Sequence, residues 1–118
     1  MNKLGIFLKK LRVEHDEVLF DMAQRLGVSS AFLSAVENGR KSPPLPWSDV
    51  IADKYKLESA QKQELTKAIS DSINQIRMSL GNVSPEKKDC ALAFARNFDS
   101  FSDTDISDLM ALLEKRRN

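Results

Sequence analysis

The chain has little of what marks a secreted, membrane-embedded or metal-built protein. A single cysteine, Cys90, excludes an internal disulfide framework. One histidine beside that one cysteine makes an all-protein Cys/His zinc site implausible, and no other metal or cofactor motif is read. No apolar run approaches the roughly 18 residues of a membrane span, so no membrane partner is expected. The first apolar patch, Leu4 to Leu8, is broken by Lys9 and Lys10. It falls short of the about 7–15 residues of a secretory h-region, so export is not expected and a reducing cytoplasm is the natural compartment. Charge of one sign is lacking as well: the formal net charge is +1. The chain carries nine basic and seven acidic residues through Lys56, then nine and ten after it. Bulk charge therefore announces no nucleic-acid binder, and local placement must carry any such argument. There is no nucleophile elbow, phosphate loop or HExxH, and one histidine among loop acids makes no triad, so catalysis is not expected.

What is present is helical spacing. With 118 residues, 42% hydrophobic and 30% charged, the composition is that of a soluble globular chain. Glycine and proline number four each, and no strand-like alternation or internal repeat is found. An all-α chain follows. Leu4, Phe7, Leu8 and Leu11 place a first helix over about Lys3–Val13. A second covers Leu19–Leu26 and stops at Gly27, a good left-handed residue past a helix end. A third begins after Ser29, a good N-cap, and ends at Asn38-Gly39. Beyond Pro43, Pro44 and Pro46 a fourth runs over Trp47–Lys54, with Trp47 as a packing anchor. Leu65, Ile69, Ile73, Ile76 and Leu80 predict a long fifth helix, Ser59–Leu80, ended by Gly81-Asn82. Ser84-Pro85-Glu86 and Ser102-Asp103-Thr104-Asp105 open two short helices. Lys115, Arg116 and Arg117 suit the last helix end.

The informative segment is DMAQRLGVSSAFLSAVENGRKS, Asp21–Ser42. Ala23 is small where two helices must pass closely, and Gly27 follows at +4, where the turn wants positive φ. Met22, Leu26, Val28, Leu33 and Val36 are apolar where a shared core needs them. Ser30, Ala31, Ser34 and Ala35 are small or polar and face outward. This is the spacing of a helix-turn-helix. The phrase LGVSSAFLSAVENGRKSP, Leu26–Pro43, resembles the phage repressor/Cro family, also called XRE, and the resemblance covers about residues 4–57.

The resemblance implies a repressor-like five-helix domain over 1–57, followed over 58–118 by a long helix and a helical hairpin. It implies that Ser29, Ser30, Ala31, Ser34 and Ala35 face bases, while Asn38, Arg40, Lys41 and Ser42 meet phosphates. It also implies an ion pair between Arg12, at the end of the first helix, and Glu37, at the end of the third; a carboxylate there opposes the helix dipole and needs a cation. Two departures matter. Val18 and Leu19 stand where relatives carry a cap and a phosphate-binding glutamine, so capping passes to Asp16. The reading face holds no Arg, Lys, Gln or Asn before Asn38, so direct base readout is weak.

The implied function is a sequence-specific transcriptional regulator, a repressor, binding double-stranded DNA as a homodimer on an inverted repeat. In the second half, Phe94, Phe98, Phe101, Ile106, Leu109, Met110 and Leu113 are more apolar surface than a solvated tail carries. The hairpin either folds back on its own fifth helix or packs across a two-fold axis; the second is favoured, because palindromic operators want symmetric dimers. The rival reading is an antitoxin whose carboxy-terminal region holds a toxin. An adapter that has lost DNA binding is a third.

Overall fold

The computed structural model describes residues 1–116, and among these every regular element is helical. The elements are α1 (Lys3–Glu14), α2 (Leu19–Leu26), α3 (Ser30–Glu37), α4 (Trp47–Lys54), α5 (Ser59–Ser72), α6 (Pro85–Asn97), a short 3-10 turn (Phe98–Ser100) and α7 (Asp103–Lys115). Arg117, expected at the basic end of the last helix, lies outside the described residues. No described helix is long and apolar enough to cross a membrane.

Local signals set most boundaries. Asn2 caps α1 by accepting from the Gly5 amide at 2.7 Å, and Ser29 caps α3 by accepting from the Phe32 amide at 3.0 Å. Ser84 and Ser102 cap α6 and α7 in the same way. Four helices end in a left-handed residue that lets the next amide reach back to an orphan carbonyl. Gly27, φ 73°, does this for α2, with the Val28 amide on the Ala23 carbonyl at 3.0 Å. Asp16 and Lys56 take the same conformation without being glycine, at φ 53° and 51°.

The chain divides into two compact units, Met1–Ile76 and the part from Arg77 onward. The first has one core. Leu4, Leu8 and Leu11 of α1 meet Met22, Leu33, Val36, Ile51 and Leu65 there, all essentially sealed from solvent. Trp47 is buried and meets Phe32 edge-on, with ring centroids 6.1 Å apart, as a packing anchor does.

Two expectations need correction. The boundary does not fall at 57/58, because α5 packs on α1 and α4 and gives Leu65, Ala68 and Ile69 to the first core. Nor does α5 reach Leu80. It stops at Ser72, and Ile73 turns extended at ψ 122° while its side chain stays packed against the core. Ser70, Asp71 and Ser72 are weak helix formers, and the Ser72 hydroxyl donates to the Ile69 carbonyl at 2.9 Å, competing with the backbone ladder. Ile76 is 70% exposed, so the periodic stripe beyond Ile73 has no surface to hold it helical.

The backbones of α1 and α3 approach closely. The Asn2 amide donates to the Glu37 carbonyl at 3.0 Å, and its side-chain Nδ2 donates to the Val36 carbonyl at 3.2 Å. The amino end of α1 thus satisfies carbonyls at the carboxy end of α3, with favourable dipole sign. Gly5 permits this: a Cβ there would fall inside contact distance of the Glu37 carbonyl oxygen and 3.0 Å from the Glu37 Cβ. Gly5→Ala is therefore expected to destabilise the first unit by about 1–3 kcal/mol, in spite of alanine's better helix propensity. Urea denaturation followed by Trp47 fluorescence checks this; a neutral or stabilising effect would count against the close approach.

Candidate nucleic-acid interface

The α2–turn–α3 unit is built from one apolar face and one open face. Met22, Ala23, Leu33 and Val36 are buried between the helices, and Leu26 and Val28 close the turn half-buried. Ala23 is buried, and its carbonyl accepts the Val28 amide. The helix that would be presented is therefore held from behind by packing and from its amino end by the Ser29 cap.

The candidate contact residues divide into two groups. Ala31, Arg40 and Lys41 are exposed; Ser30 and Ala35 are half-buried. Arg40 and Lys41 make no ion pair among the described residues. Their backbone amides both reach the Ala35 carbonyl, at 2.8 and 3.3 Å, which fixes the path just beyond α3. The other four are already engaged within the fold. Ser29 Oγ accepts the Phe32 amide. Asn38 Nδ2 donates to the Ser34 carbonyl at 2.9 Å and to Ser34 Oγ at 3.4 Å. The Ser42 hydroxyl donates to Asn74 Oδ1 at 3.3 Å. Ser29 thus serves first as the cap that the sequence indicates, and Ser42 is held by a bond that the sequence pattern does not reveal.

Behind the open face lies the Arg12–Glu37 pair. The guanidinium donates twice, from Nη1 to Oε2 and from Nη2 to Oε1 at 3.1 Å, with Nη1 also 3.4 Å from Met22 Sδ. Both residues are buried. A bidentate fork satisfies the carboxylate at the end of α3 in a site from which water is excluded.

Asp16 does not cap α2, in contrast to the expectation. Its left-handed backbone closes the end of α1 instead, allowing the Glu17 amide to reach the Arg12 carbonyl at 2.9 Å. Asp21 supplies half of the missing cap by accepting from the Val18 amide at 3.0 Å. Val18 and Phe20 are left exposed at the start of α2.

Sequence reasoning missed a second polar cluster. Glu17 sits between the Tyr55 hydroxyl, which donates to Oε1 at 2.5 Å, and the Arg25 guanidinium, which donates to Oε2. Arg25 also donates to the Lys54 carbonyl at 3.2 Å and lies 4.4 Å over the Tyr55 ring. His15 meets that ring edge-on at 5.0 Å and bonds the Leu11 carbonyl through Nδ1, so it is a structural loop residue. The cluster ties α2 to the ends of α1 and α4. Burial, then the hydrogen bond and charge of Glu17, push the Tyr55 phenol well above its ordinary value near 10. Among the described residues, no group of three or more His, Cys, Asp or Glu is placed to hold a metal.

No protein-family model matches the chain, and no significant match is found among curated proteins or solved structures.

Two outcomes follow from these networks. Glu37→Ala leaves a buried guanidinium unpaired, and about 3–5 kcal/mol of stability is expected to be lost; replacing Arg12 and Glu37 together with methionine recovers most of it. Chemical denaturation of the three proteins checks this. Tyr55 is the sole tyrosine, so its ionisation reads directly in ultraviolet absorbance. Its folded value is raised, so the associated stability is complete below pH 10 and is lost as the pH climbs past it. Tyrosinate is expected only well above pH 10, and Glu17→Gln brings the transition back toward 10.

Proposed function

We propose that the chain is a sequence-specific DNA-binding transcriptional regulator of the XRE type, a repressor acting as a homodimer on an inverted repeat. The observation that carries this reading is the outward face of α3: Ser30 and Ala31 on the helix, with Arg40 and Lys41 just past its end and no ion pair among the described residues. An α-helix with its side chains is about 10–12 Å across, a diameter that a major groove about 12 Å wide admits. Arg40 and Lys41 would supply the phosphate contacts that position the helix. Ser30 offers single hydrogen bonds and Ala31 a methyl contact with thymine, so direct readout is weak. Specificity then rests on two half-sites about 34 Å apart and on the shape of the DNA between them. Repression by covering a promoter is an analogy with the family. The single cysteine and the lack of a membrane-spanning helix among the described residues support a cytoplasmic setting.

A second reading, an antitoxin that holds a toxin through its carboxy-terminal part, is favoured by the apolar side chains left open on α6 and α7. Toxicity on removal of the gene, with a small neighbouring reading frame, separates it from the first.

A gel shift with the DNA upstream of its own gene tests the main reading. Removing both cations, Arg40→Ala with Lys41→Ala, is expected to weaken binding to all sequences and to lower the slope of log affinity against log salt by about 2. Ser30→Ala with Ser34→Ala is expected to lower specific affinity only about threefold to tenfold. An absence of any shift, or complete loss of specific binding in the serine variant, overturns the reading as stated.

A further inference from the structure

Three asparagines stand around the carboxy end of α3 and the chain just past it. Asn2 Nδ2 donates to the Val36 carbonyl at 3.2 Å and lies beside Gly39, where an added Cβ would come within 3.7 Å of it. Asn38 Nδ2 donates to Ser34. Both of these side chains use their amide hydrogens inside the fold. Asn74 differs. Its Oδ1 accepts the Ser42 hydroxyl at 3.3 Å, and its Nδ2 makes no hydrogen bond among the described residues. Asn74 is exposed.

The core sets the position of this residue. Ile73 ends α5 in an extended conformation, with its amide on the Ser70 carbonyl at 3.3 Å and its side chain packed against the core. That turn carries the chain off the helix axis toward the segment just beyond α3. The Ser42–Asn74 bond joins residues 32 apart in sequence, both inside the first unit. The other side of the bond is anchored as well, because the Arg40 and Lys41 amides share the Ala35 carbonyl. The acid nearest in sequence to Asn74, Asp71, is paired with Lys67 at 3.9 Å. A carboxamide carries one acceptor oxygen and two donor hydrogens. With the oxygen turned toward Ser42, the donors are left unused. The hydroxyl hydrogen that the family resemblance would send from Ser42 to a phosphate goes to Asn74, and the free donor reappears one amide farther out. Unused donors beside Arg40 and Lys41, which form no ion pair among the described residues, suit an anion with several acceptor oxygens.

We propose that Asn74 is a phosphate-contacting residue of the DNA interface, donating from Nδ2 to a phosphodiester oxygen next to those met by Arg40 and Lys41. The interface then extends past the helix-turn-helix to the end of α5, and Asn74 takes over the contact that the resemblance gives to Ser42. The proposal rests on the DNA-binding reading above and adds to it a residue outside the segment that carries the resemblance.

The full chain, Asn74→Ala and Ser42→Ala are compared on the DNA upstream of the gene and on an unrelated duplex of equal length. Asn74→Ala is expected to lower affinity about threefold to tenfold on both, the effect of one lost hydrogen bond to the backbone. The slope of log affinity against log salt stays unchanged, because a neutral donor releases no counterion. Ser42→Ala is expected to lower affinity less, since Nδ2 remains. Phosphate-ethylation interference on the upstream DNA reads the contact directly: the wild-type chain shows one more sensitive phosphate per half-site than Asn74→Ala. Denaturation followed by Trp47 fluorescence checks that the first unit stays folded in both variants. Unchanged affinity for Asn74→Ala, an identical interference pattern, or an equal loss in Ser42→Ala overturns the proposal; the last result would mean that Asn74 only holds the loop. A wild-type chain that shifts neither duplex removes the DNA-binding reading and this proposal with it. A wild-type shift that Asn74→Ala leaves unaltered removes this proposal alone.

Discussion

The first unit depends on one junction, where the amino end of α1 meets the carboxy end of α3. Glu37 is at its centre. Its carboxylate is held by the Arg12 fork, its carbonyl accepts the Asn2 amide, and its backbone lies where only a glycine at position 5 leaves room. A carboxylate at a helix end is a liability both by burial and by dipole. The fork turns it into a fixed distance and angle between two helices. Such a pair adds little net stability compared with a well-packed apolar substitute, but a mismatched arrangement would strand a buried charge. The pair therefore discriminates among packings, and the one it selects places the opposite face of α3 toward solvent.

Rigidity behind α3 and plainness in front of it belong together. Three devices hold the helix from behind: the core residues Leu33 and Val36, the Ser29 cap and the Glu37 junction. The Glu17–Arg25–Tyr55 cluster fixes α2 in turn. In the proposed complex a face of serine and alanine has few rotatable groups to order on meeting DNA, so little conformational entropy is lost there. Arg40 and Lys41 sit on a segment whose backbone is pinned to Ala35, which limits where their long side chains can reach. In the proposed complex this arrangement places affinity in the phosphate contacts and leaves discrimination to symmetry and DNA shape.

The second unit follows the opposite logic. Its helices are well capped, by Ser84 and by Ser102, but capping satisfies only backbone groups. Leu92, Phe94, Phe98 and Leu113 stay 39 to 58% exposed, so a large part of their hydrophobic free energy is unrealised.

The sequence alone determined the all-α class, the extents of α2 and α4, and the inward and outward faces of α3. These are local properties: caps, Gly27 and apolar periodicity act within a turn or two, and the chain cannot avoid expressing them. The Arg12–Glu37 pair was also legible, through a family resemblance and the dipole at a helix end. The end of α5 was not, because Ile73, Ile76 and Leu80 continue the helical period while the core surface that would reward it stops at Ile73. Nor were the close approach at Gly5, the Glu17–Arg25–Tyr55 cluster, or the bond from Ser42 to Asn74. Their partners lie 8 to 38 residues apart. Whether such groups meet is set by how helices cross, and crossing is decided by the packing of the whole core, which no short window of sequence contains.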